Sequence, residues 1–220
     1  VDDAYPLPNM GHILDAVASR KYRSQLDLLS GFWHVCIWPD HVHKTAVATQ
    51  CGLVEFLRVP FGLKTAPSTF QRLMNTVFAE WLHKELEAYL DDLFAFTDDF
   101  DSHLDLLDAV FTRATARGLK FKASKCNLLP ASLHALGHEI VGDERKPDAE
   151  HVEAVEHIEP PTSAKAVQRF VGMSGFFRDF IPEFAQWSAP LEILSREKGE
   201  FLWEATHQRA FEHIRHALVT

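Results

Sequence analysis

The spacing of apolar residues changes along the chain, and this change predicts two regions of different structure. Up to about residue 145, runs in which apolar and polar residues alternate are interleaved with segments of helical spacing. After Pro147, only helical spacing is found. We therefore expect an α+β region over residues 1–145 and an all-helical region over residues 146–220.

The same pattern predicts the elements of each region. In the first region, helices are expected over about residues 9–19, 67–86 and 101–117. Asp101 is expected to cap the third of these and Gly118 to follow its end. Strands are expected at about residues 22–28, 35–38, 45–49, 54–59, 119–122 and 133–141. In the second region, four helices are expected, near residues 152–158, after Thr162 or Ser163, over 182–196 and over 204–218.

Composition narrows the class of protein. The chain is 46% hydrophobic and 24% charged, which is ordinary for a globular protein with a sizeable core. No apolar run reaches the roughly 18 residues that a membrane span needs, so no membrane partner is expected. The three cysteines form no CxxC pair, which favours a reducing intracellular compartment over a disulfide framework.

The charge distribution leaves the question of a nucleic-acid partner open. A net charge of −9 argues against polyanion binding by the whole surface. Residues 113–126, however, contain several lysines and arginines and no acidic residue. An ordinary solvated face explains this stretch equally well, so any contact with a polyanion should be local.

Two segments place carboxylates among apolar residues. Asp91 and Asp92 lie between two apolar runs in EAYLDDLFAFT, and Asp27 lies between two leucines. Burying an unpaired carboxylate is costly, so such groups shift their pKa, pair or bind metal, although a solvated hairpin turn is an equal alternative. If folding unites them, they could hold two Mg²⁺ ions about 4 Å apart for phosphoryl transfer.

Several segments resemble one known family in order and spacing. YLDD resembles the YxDD box of reverse transcriptases in the form found in gypsy-type elements, and SQLDLLSGFWHV resembles their first catalytic-aspartate motif. KTAVATQCGLVEFLRVPFGLKTAPSTFQRLMN, GLKFKASKC, ALGHEI and AVQRFVGMSGFFRDFIPEFAQWSAPL resemble the nucleotide-side segment, the motif after YxDD, the primer grip and the thumb. The chain is thereby identified as a member of the gypsy-type LTR retrotransposon reverse transcriptases, within a Pol polyprotein.

The resemblance implies a fold, cofactors and partners. The fold would be a polymerase palm with partial fingers over 1–145 and a helical thumb with the start of the connection over 146–220. Two Mg²⁺ ions, replaceable by Mn²⁺, would assist transfer from dNTPs to a primer on an RNA or DNA template. The remainder of the Pol polyprotein (fingers, RNase H and integrase) would be a further partner. The expected location is intracellular, in a cytoplasmic virus-like particle and in the nucleus.

The resemblance also assigns roles at the reacting centre. Asp27, Asp91 and Asp92 match the catalytic metal-binding acids, and the backbone carbonyl of Leu28 would be an additional metal ligand. Lys125 matches a lysine proposed to protonate the pyrophosphate. From the residues alone, Lys125 is equally well explained as a solvated lysine.

Five further residues are expected to contact substrates. Phe32 matches the sugar gate that excludes a 2′-OH, and Gln71 falls where the family contacts the incoming nucleotide. Leu136, Gly137 and His138 would lie under the primer end, where a glycine allows close backbone approach. Without the resemblance, these residues are explained as a core aromatic, a surface glutamine and a kinked strand.

Two functions are therefore weighed for this chain. The first is an RNA-directed DNA polymerase, and the complete set of acids favours it. The second is a catalytically silent retroelement relic or a co-opted nucleic-acid-binding module, which the net charge of −9 favours. Because the family's upstream fingers motif is not among the 220 residues, we expect this chain alone to be a poor polymerase. A serine hydrolase is disfavoured, since GMSGF lacks the G-x-S-x-G spacing.

Overall fold

A computed structural model describes residues 5–196, 199 and 201–219. The chain divides into two compact units, of which the first contains Val1–Leu136 and Ile140–Glu144 and the second contains Gly137–Glu139 and Arg145–Thr220. The predicted ranges 1–145 and 146–220 include a few residues outside the described set. Their assignment as palm and thumb stays a prediction.

The described residues form strands and helices in both units. The strands are β1 Tyr22–Asp27, β2 Val47–Thr49, β3 Gly52–Val54, β4 Leu86–Tyr89, β5 Asp92–Thr97, β6 Asn127–Leu128, β7 Ser132–Ala135, β8 His138–Val141 and β9 Glu144–Pro147. The helices are α1 Met10–Ala18, α2 Ala66–Val77, α3 Phe100–Ala116, α4 Ala149–Glu156, α5 Ala164–Phe176, α6 Phe184–Arg196 and α7 Ala205–Val219. No helix in this part of the chain is both long and apolar enough to cross a membrane.

A four-stranded sheet is the centre of the first unit. Its strand order is β4-β5-β1-β6, and β5 pairs antiparallel with both β4 and β1. Alternating residues of β5 point to opposite faces. Leu93 and Ala95 pack in the core formed with α2 and α3, whereas Phe94 and Phe96 pack with α1. Helices therefore cover both faces of the sheet, and this agrees with the expected antiparallel sheet backed by helices.

The helix predicted over residues 67–86 was too long. It ends at Val77, and the chain then turns so that the carbonyl oxygen of Trp81 accepts hydrogen bonds from the backbone N–H groups of the next turn, including that of Leu86. Phe78 and Leu82 are still buried, which is why the apolar spacing resembled a longer helix. His83 has a φ of 63°, which no continuing right-handed helix could contain.

Several other local predictions were also wrong. Residues 35–38 and 119–122 form only single bridges to Arg58 and Leu28 rather than strands. The predicted strand 133–141 is divided at Leu136 and Gly137, both of which have positive φ. Asp99 caps α3 instead of Asp101, because its carboxylate accepts a hydrogen bond from the backbone N–H of Ser102 at 2.9 Å.

The second unit is mainly helical. Ser163 caps α5 by accepting a hydrogen bond from the backbone N–H of Ala166, as one of the two alternatives predicted. The helices enclose a core that includes Phe170, Leu191 and Phe211, each almost fully buried. The predicted change from mixed to helical spacing thus corresponds to a change in architecture.

Candidate active site

Two of the predicted acids are opposite each other in the central sheet. Asp27 ends β1, Asp92 begins β5, and the two residues are partners in the antiparallel register. Directly opposed residues in such a pair have Cβ atoms roughly 5 Å apart. The backbone N–H of Leu28 donates a hydrogen bond of 2.9 Å to the carbonyl oxygen of Asp91. The sheet therefore brings the strand that carries Asp27 against the turn that carries Asp91.

The turn between β4 and β5 is only two residues long. Tyr89 and Asp92 are paired, so Leu90 and Asp91 form the connection. Leu90 has a φ of 53°, an uncommon value for a residue with a side chain. Neighbours on one strand point to opposite faces, and Asp91 is free of that constraint because it lies in the turn, outside β5.

Gly31 supports this turn, although sequence reasoning did not select it. A Cβ atom at Gly31 would lie 2.9 Å from Cζ of Phe70 and 3.2 Å from Cβ of Asp91. The residue is buried, so little space is available for a side chain. The signal that could have found it is a glycine four residues after Asp27, where a second chain segment must approach closely.

Gln71 is fully buried beneath the same turn. Its Nε2 donates hydrogen bonds to the carbonyl oxygen of Ala88 at 2.9 Å and to Oδ1 of Asn75 at 3.0 Å. Its Oε1 accepts a hydrogen bond of 2.8 Å from the backbone N–H of Leu90. Gln71 was expected to contact an incoming nucleotide, but in the structure its amide is bonded to the protein.

The acids carry more negative charge than their surroundings balance. Burial raises the pKa of Asp92, and the charges of Asp27 and Asp91 raise it further, while a hydrogen bond from Gln25 and the charge of Lys125 act in the opposite direction. Nζ of Lys125 lies 3.4 Å from Oδ2 of Asp27. One ammonium group therefore balances the charge of Asp27 and, in part, that of Asp92, so the site would be stabilised by an additional cation.

This donor set fits an ion that is shared with a substrate. Among the residues described, no three His, Cys, Asp or Glu side chains converge closely enough to hold a metal by themselves. Mg²⁺ characteristically takes one or two protein carboxylates and completes its coordination with water and substrate phosphates. Asp27, Asp91 and Asp92 suit that mode of binding, with the backbone carbonyl of Leu28 adjacent in sequence.

Phe32 follows Gly31 on the short helical turn Gly31–His34. Its ring makes edge-to-face contacts with Phe61 and Phe70, with ring centroids 5.4 and 5.6 Å apart. The residue is half-buried and packs against the core of the first unit. Phe32 therefore partly fits the expectation of a core aromatic residue. Because its side chain is still partly exposed, the sugar-gate role stays a prediction.

The residues expected under a primer end are divided between the two units. Leu136 ends a segment of the first unit, whereas Gly137 and His138 belong to the second. His138 is buried, and its ring centroid lies 5.3 to 5.6 Å from those of Phe176, Phe177 and Phe180. Gly137 has a φ of 75°, so a side chain there would be strained.

The sequence of the first unit matches a known protein family. Residues 2–140 match the sequence model described as reverse transcriptase (RNA-dependent DNA polymerase). The chain belongs to the reverse transcriptase family.

A curated relative and two solved structures agree with this membership. The retrovirus-related Pol polyprotein from transposon 297 of Drosophila melanogaster is 33% identical over 220 residues, which are 100% of this chain and 21% of that polyprotein. A foamy viral protease-reverse transcriptase in complex with double-stranded DNA matches with a TM-score of 0.88 and 26% identity over 100% of this chain and 39% of that one. The same protein type in complex with an RNA/DNA hybrid matches with a TM-score of 0.84 and 26% identity, over 99% and 30% of the two chains.

These likenesses establish the fold of this reverse transcriptase chain. They confirm the α+β polymerase fold that the sequence predicted. The chain spans only about a fifth of the polyprotein of transposon 297. The roles of individual site residues are therefore argued from the geometry above.

Proposed function

We propose that this chain is the polymerase core of a gypsy-type LTR retrotransposon reverse transcriptase, and that it extends a primer with dNTPs. The observation that carries the proposal is the opposition of Asp27 and Asp92 in the central sheet, with Asp91 in the adjoining turn. The YLDD segment, in the form that resembles gypsy-type elements, supports the finer assignment.

In this proposal, Asp27, Asp91 and Asp92 hold two Mg²⁺ ions, and the backbone carbonyl of Leu28 is a further ligand. The ions would activate the primer 3′-OH and neutralise the triphosphate, and Mn²⁺ could replace them. Lys125 is close enough to Asp27 to act near the same phosphates, and we assign it the protonation of the leaving pyrophosphate. Its ammonium group is also the local cation in the absence of the ions.

The substrates follow from the same assignment. Phe32 would pack against the deoxyribose of the incoming dNTP and exclude a 2′-OH. Leu136, Gly137 and His138 would support the primer end, with the ring of His138 fixed by its aromatic neighbours. The template would be RNA or DNA, since the similar foamy viral structures are complexes with double-stranded DNA and with an RNA/DNA hybrid.

The proposal extends to the protein that contains this chain. Residues 1–145 would form the palm with part of the fingers, and residues 146–220 the thumb and the start of the connection. Other parts of a Pol polyprotein, with fingers, RNase H and integrase, would be its partners. We place the protein inside the cell, in a cytoplasmic virus-like particle and in the nucleus.

A second candidate is a nucleic-acid-binding module that has kept the fold without the chemistry. Its support is the net charge of −9, which is unfavourable for a protein that grips a polyanionic template. The two candidates differ in whether the acids are needed. A module should bind a primer–template equally well with or without Asp91, whereas a polymerase loses synthesis when Asp91 is changed.

Primer extension on an RNA template with Mg²⁺ tests the proposal. The assay compares the polyprotein region that contains this chain with its Asp91→Asn variant, and with Asp101→Asn as the matched control. Asp101 is an exposed acid in the first turn of α3 and should be dispensable. We expect synthesis by the parent and the control and none by Asp91→Asn. Unimpaired synthesis by Asp91→Asn would overturn the catalytic assignment.

A further inference from the structure

Gln71 occupies a position where a glutamine amide can link a helix to a hairpin turn. It lies in the middle of α2 and has no exposed surface. Both hydrogens of its amide group and its oxygen are directed at protein atoms, at distances of 2.8 to 3.0 Å. Two of these three bonds are to backbone atoms of β4 and the following turn, namely those of Ala88 and Leu90.

The turn has a structural need for such a partner. Leu90 has positive φ, and a residue in a two-residue turn cannot satisfy its N–H through the ladder of either strand. Oε1 of Gln71 is the partner that this N–H finds. Because Asp91 follows Leu90 directly, the orientation of this peptide sets where the Asp91 side chain begins.

The glutamine is itself held by a second amide. Nε2 of Gln71 donates to Oδ1 of Asn75, one helical turn later, and Nδ2 of Asn75 donates to the hydroxyl of Tyr5 at 2.6 Å. The hydrogen-bond series Tyr5–Asn75–Gln71–Leu90 thus connects the N-terminal segment to the turn. Each amide in the series has its orientation fixed by its neighbours, so the oxygen of Gln71 faces Leu90.

We propose that Gln71 is a positioning residue for the Leu90–Asp91 turn, and that Asn75 acts through it. This positioning role replaces the nucleotide contact that the family resemblance suggested for Gln71. A buried side-chain amide that makes these three hydrogen bonds has no N–H left to donate to a nucleotide. The effect on turnover rests on the proposed function, whereas the effect on the turn does not. The two consequences can therefore be measured separately.

Amide hydrogen exchange measures the effect on the turn in the 220-residue chain. We compare Gln71→Met, which keeps the approximate volume and removes the amide, with Asn75→Ala and with the control Thr76→Ala. Thr76 is exposed on the same helix, and its hydroxyl donates to the carbonyl oxygen of Arg72. Losing one hydrogen bond corresponds to roughly a threefold to tenfold change in an opening equilibrium. We expect exchange at Leu90 to accelerate by about that factor in Gln71→Met, by less in Asn75→Ala and not in Thr76→Ala.

Steady-state kinetics of the polymerase-active parent measure the consequence for turnover. Loss of a positioning residue should lower kcat at least about tenfold, with the KM for dNTP changed by less than about twofold, because the reacting groups are displaced while nucleotide contacts remain. Unchanged exchange at Leu90 in Gln71→Met, or a raised KM with normal kcat, would overturn the proposal. If the parent made no DNA, the proposed function would fail, while the exchange result would still decide the role of Gln71.

Discussion

Asp27 and Asp92 are opposed carboxylates on neighbouring antiparallel strands, at the end of β1 and the start of β5. Both are partly buried, and the nearest cation is Lys125, whose Nζ is 3.4 Å from Asp27. Like charges directly opposed across a sheet are destabilising. The arrangement therefore reduces the stability of the metal-free protein, and a divalent cation bound there would offset the repulsion.

Replacing Asp92 should show directly that the opposed carboxylates destabilise the metal-free protein. Because burial and the neighbouring acids raise the pKa of Asp92, its ionised form is destabilised in the folded protein at neutral pH. Asp92→Asn should increase the free energy of unfolding by about 0.5–2 kcal/mol in chelator-treated protein, while it abolishes primer extension. Urea denaturation at pH 7 measures the first effect, with Asp101→Asn as control. A variant that is less stable than the parent would contradict this account.

Substituting Phe32 tests whether its ring selects deoxyribose over ribose by steric exclusion. In the polymerase-active parent, Phe32→Val should increase ribonucleotide incorporation at least about tenfold relative to deoxynucleotide incorporation, since removing the ring leaves space for a 2′-OH. Its contacts with Phe61 and Phe70 mean that some stability will also be lost. Phe61→Val is the matched control because it removes the partner ring at the same contact. Equal discrimination in Phe32→Val and the parent would remove Phe32 from the gate role.

The sequence could predict those structural features that are determined within a short segment of the chain. The helical character after Pro147 and the helix α1 follow from apolar spacing alone, and both were predicted. The end of α2 was not, because Phe78 and Leu82 keep the helical spacing of buried residues after the backbone has turned. Tertiary packing was the stronger determinant at that point.

The candidate active site shows the same difference between local and long-range determinants. Nothing within the residues around Asp27 indicates that Asp92 is its partner, since β1 and β5 are far apart in sequence; only the family resemblance linked them. From its helix alone Gln71 is expected on the surface, whereas in the structure it is buried, because its partners Ala88 and Leu90 come from a distant hairpin. Hydrogen bonds between distant elements leave no periodic signal in a single sequence.

His103 should give the protein a measurable pH dependence of stability. It is fully buried on α3, and its ring nitrogens are hydrogen-bonded to Oγ of Ser24 at 2.9 Å and Oγ1 of Thr97 at 3.2 Å. Burial lowers the pKa of His103 below its usual value of 6.5. The unfolded chain therefore binds a proton more readily than the folded protein. The neutral ring stabilises the fold fully above about pH 6.5, and this contribution is lost as the pH falls toward the folded pKa.

Chemical denaturation between pH 5 and pH 8 tests this linkage. The free energy of unfolding should fall below pH 6.5 by up to about 1.4 kcal/mol per pH unit for one proton. His103→Gln should remove most of that slope, whereas the exposed His41→Gln should not. An identical pH dependence in parent and His103→Gln would show that other groups are responsible.

Gly31 should be sensitive to any added side chain. A methyl group there would overlap the ring edge of Phe70 at 2.9 Å and press on Cβ of Asp91 at 3.2 Å. Overpacking of this kind costs about 1–3 kcal/mol, and part of the strain can be relieved by displacing Asp91. Gly31→Ala should therefore lower both the free energy of unfolding and the rate of primer extension. Gly172→Ala is the control, because among the described residues a carbon added there meets nothing within 4 Å beyond its own stretch of helix.

A second substitution separates the effects of the two contacts at Gly31, one with Phe70 and one with Asp91. Phe70→Leu removes the ring edge, so the Gly31→Ala, Phe70→Leu double variant should lose less stability than the sum of the single variants. If Gly31 matters only through Phe70, primer extension should return to the level of Phe70→Leu alone. If contact with Asp91 is what matters for function, stability should recover while primer extension stays low. We expect the second result, because Phe70 belongs to the core of the first unit whereas Asp91 lies in the turn between β4 and β5.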